Sequence, residues 1–200
     1  MLNFDDCCSY HILSHINISD HIQITSPIHR VFLWGMMGAG KSTLAKKLAH
    51  TLGWKSIDLD GIIEKERGMT IAEIFEQNGE AAFREMERKV LDQIIDQEKV
   101  IVAVGGGTPC FHGNDSFMKA SGLCVWLDAP LPMLASRLIH SKEKRPLIKG
   151  LDEPQILVTL ETLYEKRSDN YAKAHLIISI NQMNVQQSTK MLTSIIRDKS

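Results

Sequence analysis

The chain has 200 residues, the size of one ordinary domain, and its 44% hydrophobic and 24% charged residues are typical of a globular protein. Its formal net charge of -1 provides no broad positive surface for nucleic acid or an acidic membrane. The N-terminus lacks a basic start followed by a long apolar run, and no uninterrupted apolar stretch of about eighteen residues occurs, which argues against secretion and membrane spanning. We therefore expect one globular domain that binds neither nucleic acid nor a membrane.

The beginning of the chain, residues 1–28, is predicted to be an N-terminal extension, partly disordered, before a single domain over residues 29–200. Histidines are frequent in or next to this extension: His11, His15, His21 and His29. His11 and His15 would share a helical face, so metal binding there stays open as an alternative. The cysteines show no paired C-x-x-C spacing and are interpreted as free thiols in a reducing compartment: Cys7, Cys8, Cys110 and Cys124.

Apolar runs alternate with amphipathic stretches through the domain, a pattern typical of a parallel sheet with helices on both faces. The predicted strands are Val31–Trp34, Trp54–Ile57, Val100–Val104, Leu123–Leu127 and His175–Ile180. These segments predict a three-layer α/β/α fold with a five-stranded parallel sheet.

Helical spacing and capping signals predict the connections between the strands. The predicted helices are one through Leu44–Leu52 that stops at Gly53, a short one from the capping box Thr70–Glu73 to about Gly79, a longer one over Glu80–Gln97, one over Leu131–Ile139, and one leading to Tyr171. The charged, Gly-containing stretch at about 139–152 is predicted to be a mobile lid.

A phosphate-binding motif lies between the first strand and the first helix. The segment from Gly35 to Ser42 matches G-x-x-x-x-G-K-[ST] in the strand–loop–helix context that this motif requires. Glycines let backbone amides curl around phosphate oxygens, Lys41 would reach the β and γ phosphates, and Ser42 would ligate Mg²⁺. The predicted ATP-binding residues of the loop are Gly38, Ala39, Gly40, Lys41, Ser42 and Thr43.

Two further segments follow predicted strands, where ligands of open α/β sheets bind. Asp58 and Asp60 would point to the same side of an extended segment, one toward a metal and the other toward an acceptor hydroxyl. The alternative is a pair of surface turn carboxylates. Gly105, Gly106 and Gly107 allow close approach of the backbone to a ligand, and the alternative is a loose turn.

Arginines are less informative when each is taken alone. Arg84 lies on the polar face of a predicted helix, together with Glu87 and Arg88, and such a residue is more often solvated than a ligand. The same holds for Arg145, before Pro146, and for Arg167. Only their combination with the other motifs favours a functional role.

The complete set, in this order and spacing, resembles shikimate kinase, a family in the nucleoside-monophosphate-kinase-like P-loop group, from about Val31 to Ile178. The matching features are the loop Gly35–Ser42, Asp58-Leu59-Asp60, Phe83-Arg84, Gly105-Gly106-Gly107, Arg145-Pro146-Leu147, and Arg167 four residues before Tyr171. The resemblance implies that ATP and shikimate give ADP and shikimate 3-phosphate, in the cytoplasmic route to aromatic amino acids. It also implies a monomer that uses Mg²⁺.

The resemblance further implies roles for individual residues. Asp60 would hold the acceptor hydroxyls and take the proton, and Asp58 would reach Mg²⁺ through water. The substrate carboxylate would lie between Arg84 and Arg167, with backbone contacts from Gly105–Gly107. Arg145, on the lid, would meet the transferring phosphate, and Arg137 would pack on adenine.

One departure and several alternatives accompany this interpretation. Relatives usually read Arg-x-Pro-Leu-Tyr where this chain reads Arg167-Ser168-Asp169-Asn170-Tyr171, which leaves the helix end and the position of Arg167 open. A rival is another small-metabolite kinase, such as a gluconate kinase. Another is a nucleotide switch protein, since Asp58–Gly61 fits D-x-x-G, although no N-K-x-D or T-K-x-D guanine motif follows. A third is a family member that binds without catalysing.

Overall fold

The computed structural model describes residues 27–141, 146–148 and 150–199. Its centre is a five-stranded sheet in the order β2-β3-β1-β4-β5, with parallel pairing between all neighbours. The strands are β1 (Arg30–Trp34), β2 (Lys55–Asp58), β3 (Val100–Ala103), β4 (Leu123–Asp128) and β5 (Leu176–Ser179). The predicted five-stranded parallel sheet is confirmed.

Seven α-helices are present in the described part of the chain, and they flank the sheet as the three-layer prediction requires. They are α1 (Lys41–Leu52), α2 (Leu59–Arg67), α3 (Ile71–Ile94), α4 (Asn114–Ser121), α5 (Leu131–Ile139), α6 (Glu153–Tyr171) and α7 (Val185–Asp198). Short 3-10 turns occupy Thr108–Cys110 and Pro146–Ile148. None of the helices in the described ranges combines the length and apolar content needed to cross a bilayer.

Local signals explain several helix ends. The left-handed Gly53 ends α1, as its position in the sequence predicted. The Thr70 hydroxyl accepts from the Glu73 backbone N–H while the Glu73 carboxylate accepts from the Thr70 backbone, so the predicted capping box is formed. Gly79 has φ 77° and ψ 172°, which kinks α3 and separates the two helical segments that the sequence predicted there.

The segment Asp58-Leu59-Asp60 differs from its prediction. Asp58 ends β2 and caps α2, where its carboxylate accepts the Gly61 backbone N–H at 3.4 Å. Asp60 therefore lies in the first turn of a helix, and the expectation of two side chains on one side of an extended segment is wrong. Asp58 is the last residue of the strand and also the cap of the helix that begins at Leu59. The alternation of side chains along a strand therefore ends at Asp58 and does not place Asp60 on the same side.

Three helices were not predicted: α2, α4 and α7. In α7 the hidden face includes hydroxyl side chains, at Ser188, Thr189 and Thr193, among its apolar residues. The hydroxyls of Ser188 and Thr189 bond to carbonyls one turn earlier, which satisfies them inside the protein. Polar residues at buried positions dilute the apolar periodicity on which the sequence prediction rests.

The sheet register brings three loops to one edge. Leu33 of β1 and Asp58 of β2 both stand opposite Ala103 of β3. The loop that follows β1 and the carboxylate that ends β2 therefore flank the glycines that follow β3. In open α/β sheets this carboxyl edge is where ligands bind.

A histidine joins the start of β5 to β4 and gives the fold an acid-sensitive contact. His175 Nδ1 accepts the Cys124 backbone N–H at 3.0 Å. Burial, with a smaller contribution from Lys119, lowers the pKa of His175. A lowered pKa means that the unfolded chain binds this proton more tightly, so the contribution to stability is present above about pH 6.5 and is lost as the pH falls through the folded-state pKa.

We expect His175→Asn, whose amide oxygen accepts without titrating, to remove this acid sensitivity. Thermal unfolding of both proteins between about pH 8 and about pH 5 measures the difference in melting temperature. The wild type should lose stability relative to the variant as the pH falls. Parallel profiles would show that His175 contributes nothing to the pH dependence of folding.

Candidate active site

The loop between β1 and α1 combines several glycines of positive φ with one ammonium group. Gly35, Gly38 and Gly40 have φ values of 132°, 79° and 89°, a region that side chains with a Cβ rarely adopt. Lys41 Nζ donates to the carbonyls of Gly35 at 2.9 Å and Met36 at 3.0 Å, so the ammonium lies over the loop. The Lys41 ammonium and the N-terminus of α1 thus lie at the same loop, an arrangement that suits a polyphosphate.

Two side chains that could bind a metal ion through oxygen, Ser42 and Asp58, lie beside this loop. Ser42 Oγ, in the first turn of α1, donates to Asp58 Oδ2 at 2.6 Å and so ties the loop to the end of β2. Hydroxyl and carboxylate oxygens are the ligands that Mg²⁺ prefers, and this ion usually takes its other ligands from water and phosphate. In the described ranges, no cluster of three or more His, Cys, Asp or Glu side chains could hold a metal ion by itself. A Mg²⁺ ion that takes most of its ligands from water and phosphate does not need such a cluster. The pair fits the predicted magnesium site.

The first glycine after β3 meets a group of polar side chains. A Cβ at Gly105 would lie 2.8 Å from Glu87 Oε1, 2.9 Å from Asp60 Oδ1 and 2.9 Å from Thr108 Oγ1. No larger residue fits there without moving these groups. Asp60 therefore lies at the glycine segment.

The next two glycines touch the two arginines. A Cβ at Gly107 would lie 2.6 Å from Arg84 Nη2, and a Cβ at Gly106 would lie 3.1 Å from Arg167 Nη1. The same Gly106 position is 3.5 Å from the carbonyl oxygen of Gly35 in the phosphate-binding loop. The glycine segment is thus not a loose turn, because it is the surface on which both guanidinium groups and the P-loop converge.

Arg84 is buried, with 6% of its surface exposed, and its neighbour Glu87 is fully buried. The expectation of a solvated polar face carrying both residues is therefore wrong. Arg84 Nη1 donates to Glu87 Oε2 at 2.7 Å and Nη2 to Glu80 Oε1 at 2.8 Å, and its guanidinium lies 4.2 Å from the ring centre of Phe111. Burial alone would lower the pKa of Arg84, but Glu87 and Glu80 outweigh it and the net shift is upward. Arg84 is a fixed positive charge.

Arg167 has a different environment although its exposure, 8%, is similar. Within the described part of the chain, its guanidinium makes no ion pair with a carboxylate, whereas Arg84 makes two. A buried guanidinium without a carboxylate is costly unless an anion binds there. Its position beside Gly106 therefore points to an anionic ligand at the glycine segment.

The altered residues after Arg167 are helical. Helix α6 continues without interruption to Tyr171, so Ser168, Asp169 and Asn170 occupy helical positions. Asn170 Nδ2 donates to the Pro109 carbonyl at 3.4 Å, a contact between this helix and the 3-10 turn after the glycines. The departure from the family pattern does not interrupt this helix, which ends at Tyr171.

Comparison with known proteins gives matches to one enzyme family. A family model described as shikimate kinase matches residues 37–197. The shikimate kinase of Parabacteroides distasonis is 42% identical over 154 residues, 77% of this chain and 89% of that protein. The shikimate kinase of Bacteroides fragilis is 39% identical over 171 residues, 82% of this chain and 96% of that protein.

The chain belongs to the shikimate kinase family. Among solved structures, the shikimate kinase of Bacteroides thetaiotaomicron is 35% identical with a TM-score of 0.81, and the similarity covers 85% of this chain and 99% of that one. The Acinetobacter baumannii shikimate kinase, solved in complex with shikimate, is 32% identical with a TM-score of 0.77 and coverages of 86% and 95%. The resemblance inferred from the sequence motifs is confirmed.

A more distant structure confirms that the fold is that of the nucleoside-monophosphate-kinase-like P-loop group. A deoxyadenosine kinase from M. mycoides is 13% identical with a TM-score of 0.56, and the similarity covers 84% of this chain. At that identity the likeness shows the fold alone. The chain therefore shares its fold with this deoxyadenosine kinase.

Other predicted site residues lie near the P-loop or outside the described residues. Arg137 Nη1, near the end of α5, donates to the Gly38 carbonyl at 3.3 Å. Thr43 is an exposed residue in the first turn of α1. Arg145 lies outside the described residues, as do most of the predicted extension and part of the predicted lid.

Sequence reasoning gave no role to three residues that complete the site. Glu87 holds Arg84 and accepts from the Thr108 hydroxyl, and Tyr171 donates its hydroxyl to the Gly106 carbonyl. The spacing of Glu87 three residues after Arg84 indicates a pair on one helical face and was available in the sequence. Nothing in the sequence relates Thr108 to that carboxylate, because their contact depends on how α3 packs against the loop after β3.

Proposed function

We propose that this protein transfers the γ-phosphoryl group of ATP to the 3-hydroxyl of shikimate, giving ADP and shikimate 3-phosphate for chorismate and aromatic amino-acid biosynthesis. The buried Arg167 guanidinium carries the proposal, since it faces Gly106, lacks a carboxylate partner in the described ranges, and lies next to the P-loop. The relative from Acinetobacter baumannii, solved with shikimate, supports the choice of acceptor.

The acceptor carboxylate would bind between Arg84 and Arg167. Guanidinium groups bind carboxylates through paired, charge-assisted hydrogen bonds. Glu87 and Glu80 hold the Arg84 group in place before the acceptor arrives, which reduces the ordering cost of binding. The backbone of Gly105–Gly107 would form the floor of the acceptor site, because side chains there would collide with the surrounding groups.

Asp60 would orient the acceptor hydroxyl and take its proton during transfer. Its carboxylate lies at Gly105, between the arginine pair and the end of β2. A general base must reach the proton that it removes, and the proximity of Asp60 to Gly105 supports this role. The hydroxyl oxygen then forms the new bond to phosphorus while the bridging oxygen leaves with ADP.

The phosphate side of the site would be formed by Gly38, Ala39, Gly40, Lys41, Ser42 and Thr43. Lys41 would stabilise charge on the β and γ phosphates, and fixed positive charge is most effective where negative charge develops. Mg²⁺, held by Ser42 and through water by Asp58, would neutralise phosphate charge when bound. Arg137 would pack on adenine and Arg145 would contact the transferring phosphate. We also propose a monomeric, cytoplasmic enzyme.

A substrate panel tests the proposal directly. The purified protein is incubated with Mg·ATP and shikimate, quinate or gluconate, and ADP release is measured together with the phosphorylated product. We expect ADP release that depends on shikimate. Phosphorylation of gluconate in place of shikimate would identify another metabolite kinase, and GTP hydrolysis without any acceptor would identify a switch protein.

A further inference from the structure

Tyr171, the last residue of α6, is fully buried, and its hydroxyl lies between the two halves of the site. The hydroxyl donates to the carbonyl of Gly106, in the acceptor segment, and lies 3.7 Å from Sδ of Met36, in the P-loop. Burial raises the pKa of Tyr171, and the opposing effect of Arg167 does not cancel it. The phenol therefore keeps its proton and acts as a donor.

The two loops that meet at this hydroxyl hold the two reacting groups. The Met36 carbonyl accepts from Lys41 Nζ, so the segment that contacts Tyr171 also carries the phosphate-binding ammonium. Gly106 belongs to the floor against which the acceptor would bind, and its Cβ position lies 3.5 Å from the Gly35 carbonyl. Transfer requires the hydroxyl and the phosphorus atom in line, and a misplacement of about 1 Å can cost a factor of about a hundred in rate.

We propose that Tyr171 is a positioning residue whose hydroxyl fixes the acceptor segment Gly105–Gly107 relative to the P-loop. The proposal rests on the kinase function given above. It assigns to the hydroxyl a role separate from that of the ring. The ring packs against Trp126, with ring centres 5.7 Å apart, and contributes to the core whether or not the hydroxyl is present.

Tyr171→Phe removes the hydroxyl and keeps the ring, so it separates the two contributions. We expect kcat for shikimate phosphorylation to fall by about tenfold to a hundredfold, with KM for ATP changed by no more than about twofold. ADP release without shikimate should persist, so the ratio of acceptor-independent ADP release to phosphoryl transfer should rise. A purely structural hydroxyl would leave that ratio unchanged. Circular dichroism should show a melting temperature within about 4 °C of the wild type.

The control is Tyr164→Phe, on the same helix and also against Trp126, with ring centres 6.3 Å apart. This variant should keep the wild-type kcat and the wild-type ratio of acceptor-independent ADP release to phosphoryl transfer. Installing 4-aminophenylalanine at position 171 restores a hydrogen-bond donor. We expect it to return the ratio of acceptor-independent ADP release to phosphoryl transfer most of the way to the wild-type value. This variant also tests the proposal if the phenylalanine protein does not fold.

The outcomes separate this inference from the proposed function. Suppose that the wild type phosphorylates shikimate and that Tyr171→Phe keeps both the wild-type kcat and the wild-type ratio of acceptor-independent ADP release to phosphoryl transfer. Tyr171 is then not a positioning residue, and the proposed kinase function stands. If the wild type does not phosphorylate shikimate, the proposed function fails, and the inference fails with it. An equal loss in the Tyr164→Phe control would contradict a role specific to Tyr171.

Discussion

Lys41→Ala lowers kcat by about a hundredfold to a thousandfold and leaves shikimate affinity within about twofold of the wild type. The ammonium lies over the P-loop carbonyls of Gly35 and Met36. Its charge would act on the phosphates, where negative charge develops during transfer. Turnover is measured by coupled ADP release and shikimate affinity by calorimetry without nucleotide.

The matched control for this prediction is Lys46→Ala, further along α1 and exposed to solvent. It should behave as the wild type in both measurements. Turnover that survives in the Lys41 variant would contradict the phosphate role assigned to this residue. A large loss of shikimate affinity would instead place Lys41 in the acceptor site.

Arg84→Met and Arg167→Met should both weaken shikimate affinity but differ in their effect on stability. A charge-assisted pair is worth about 1.5 to 3 kcal/mol, so each change should cost about tenfold to a hundredfold in affinity. Removing Arg84 leaves the fully buried Glu87 without its ion-pair partner, which should destabilise the protein by about 3 kcal/mol or more. Removing Arg167 breaks no carboxylate pair in the described ranges, and stability should change by about 1 kcal/mol or less.

Calorimetric titration with shikimate and with ADP measures the affinities, and urea unfolding without ligand measures stability. ADP affinity should be unchanged in both variants. The control is Arg88→Met, on the same helix, since Arg88 pairs with Asp92 at 3.0 Å and packs on the Phe117 ring. Equal destabilisation of the Arg84 and Arg167 variants would contradict the different environments assigned to them.

The sequence was most informative where local chemistry determines structure. The P-loop from Gly35 to Ser42 needs glycines, a lysine and a hydroxyl at fixed spacing, and its strand and helix follow from apolar patterns on either side. The capping box at Thr70 and the stop at Gly53 are likewise local. Each of these features could be predicted because no distant residue is needed to form it.

The site was harder to predict where packing decides. Arg84 and Arg88 lie one turn apart on α3 and look alike in the sequence, yet Arg84 is buried against Gly107 while Arg88 is partly exposed. That difference arises from where the loop after β3 crosses the helix. Asp60 lies beside Gly105, but its helical position was missed because the capping role of Asp58 was not recognised.

The crystal structure of the protein with ADP and shikimate is the most direct test of an acceptor pocket that faces the P-loop. We predict the shikimate carboxylate within hydrogen-bonding distance of Arg84 and Arg167, and its 3-hydroxyl between Asp60 and the terminal phosphate of ADP. Shikimate bound elsewhere, with Arg167 turned away from Gly106 and from the nucleotide, would contradict the account.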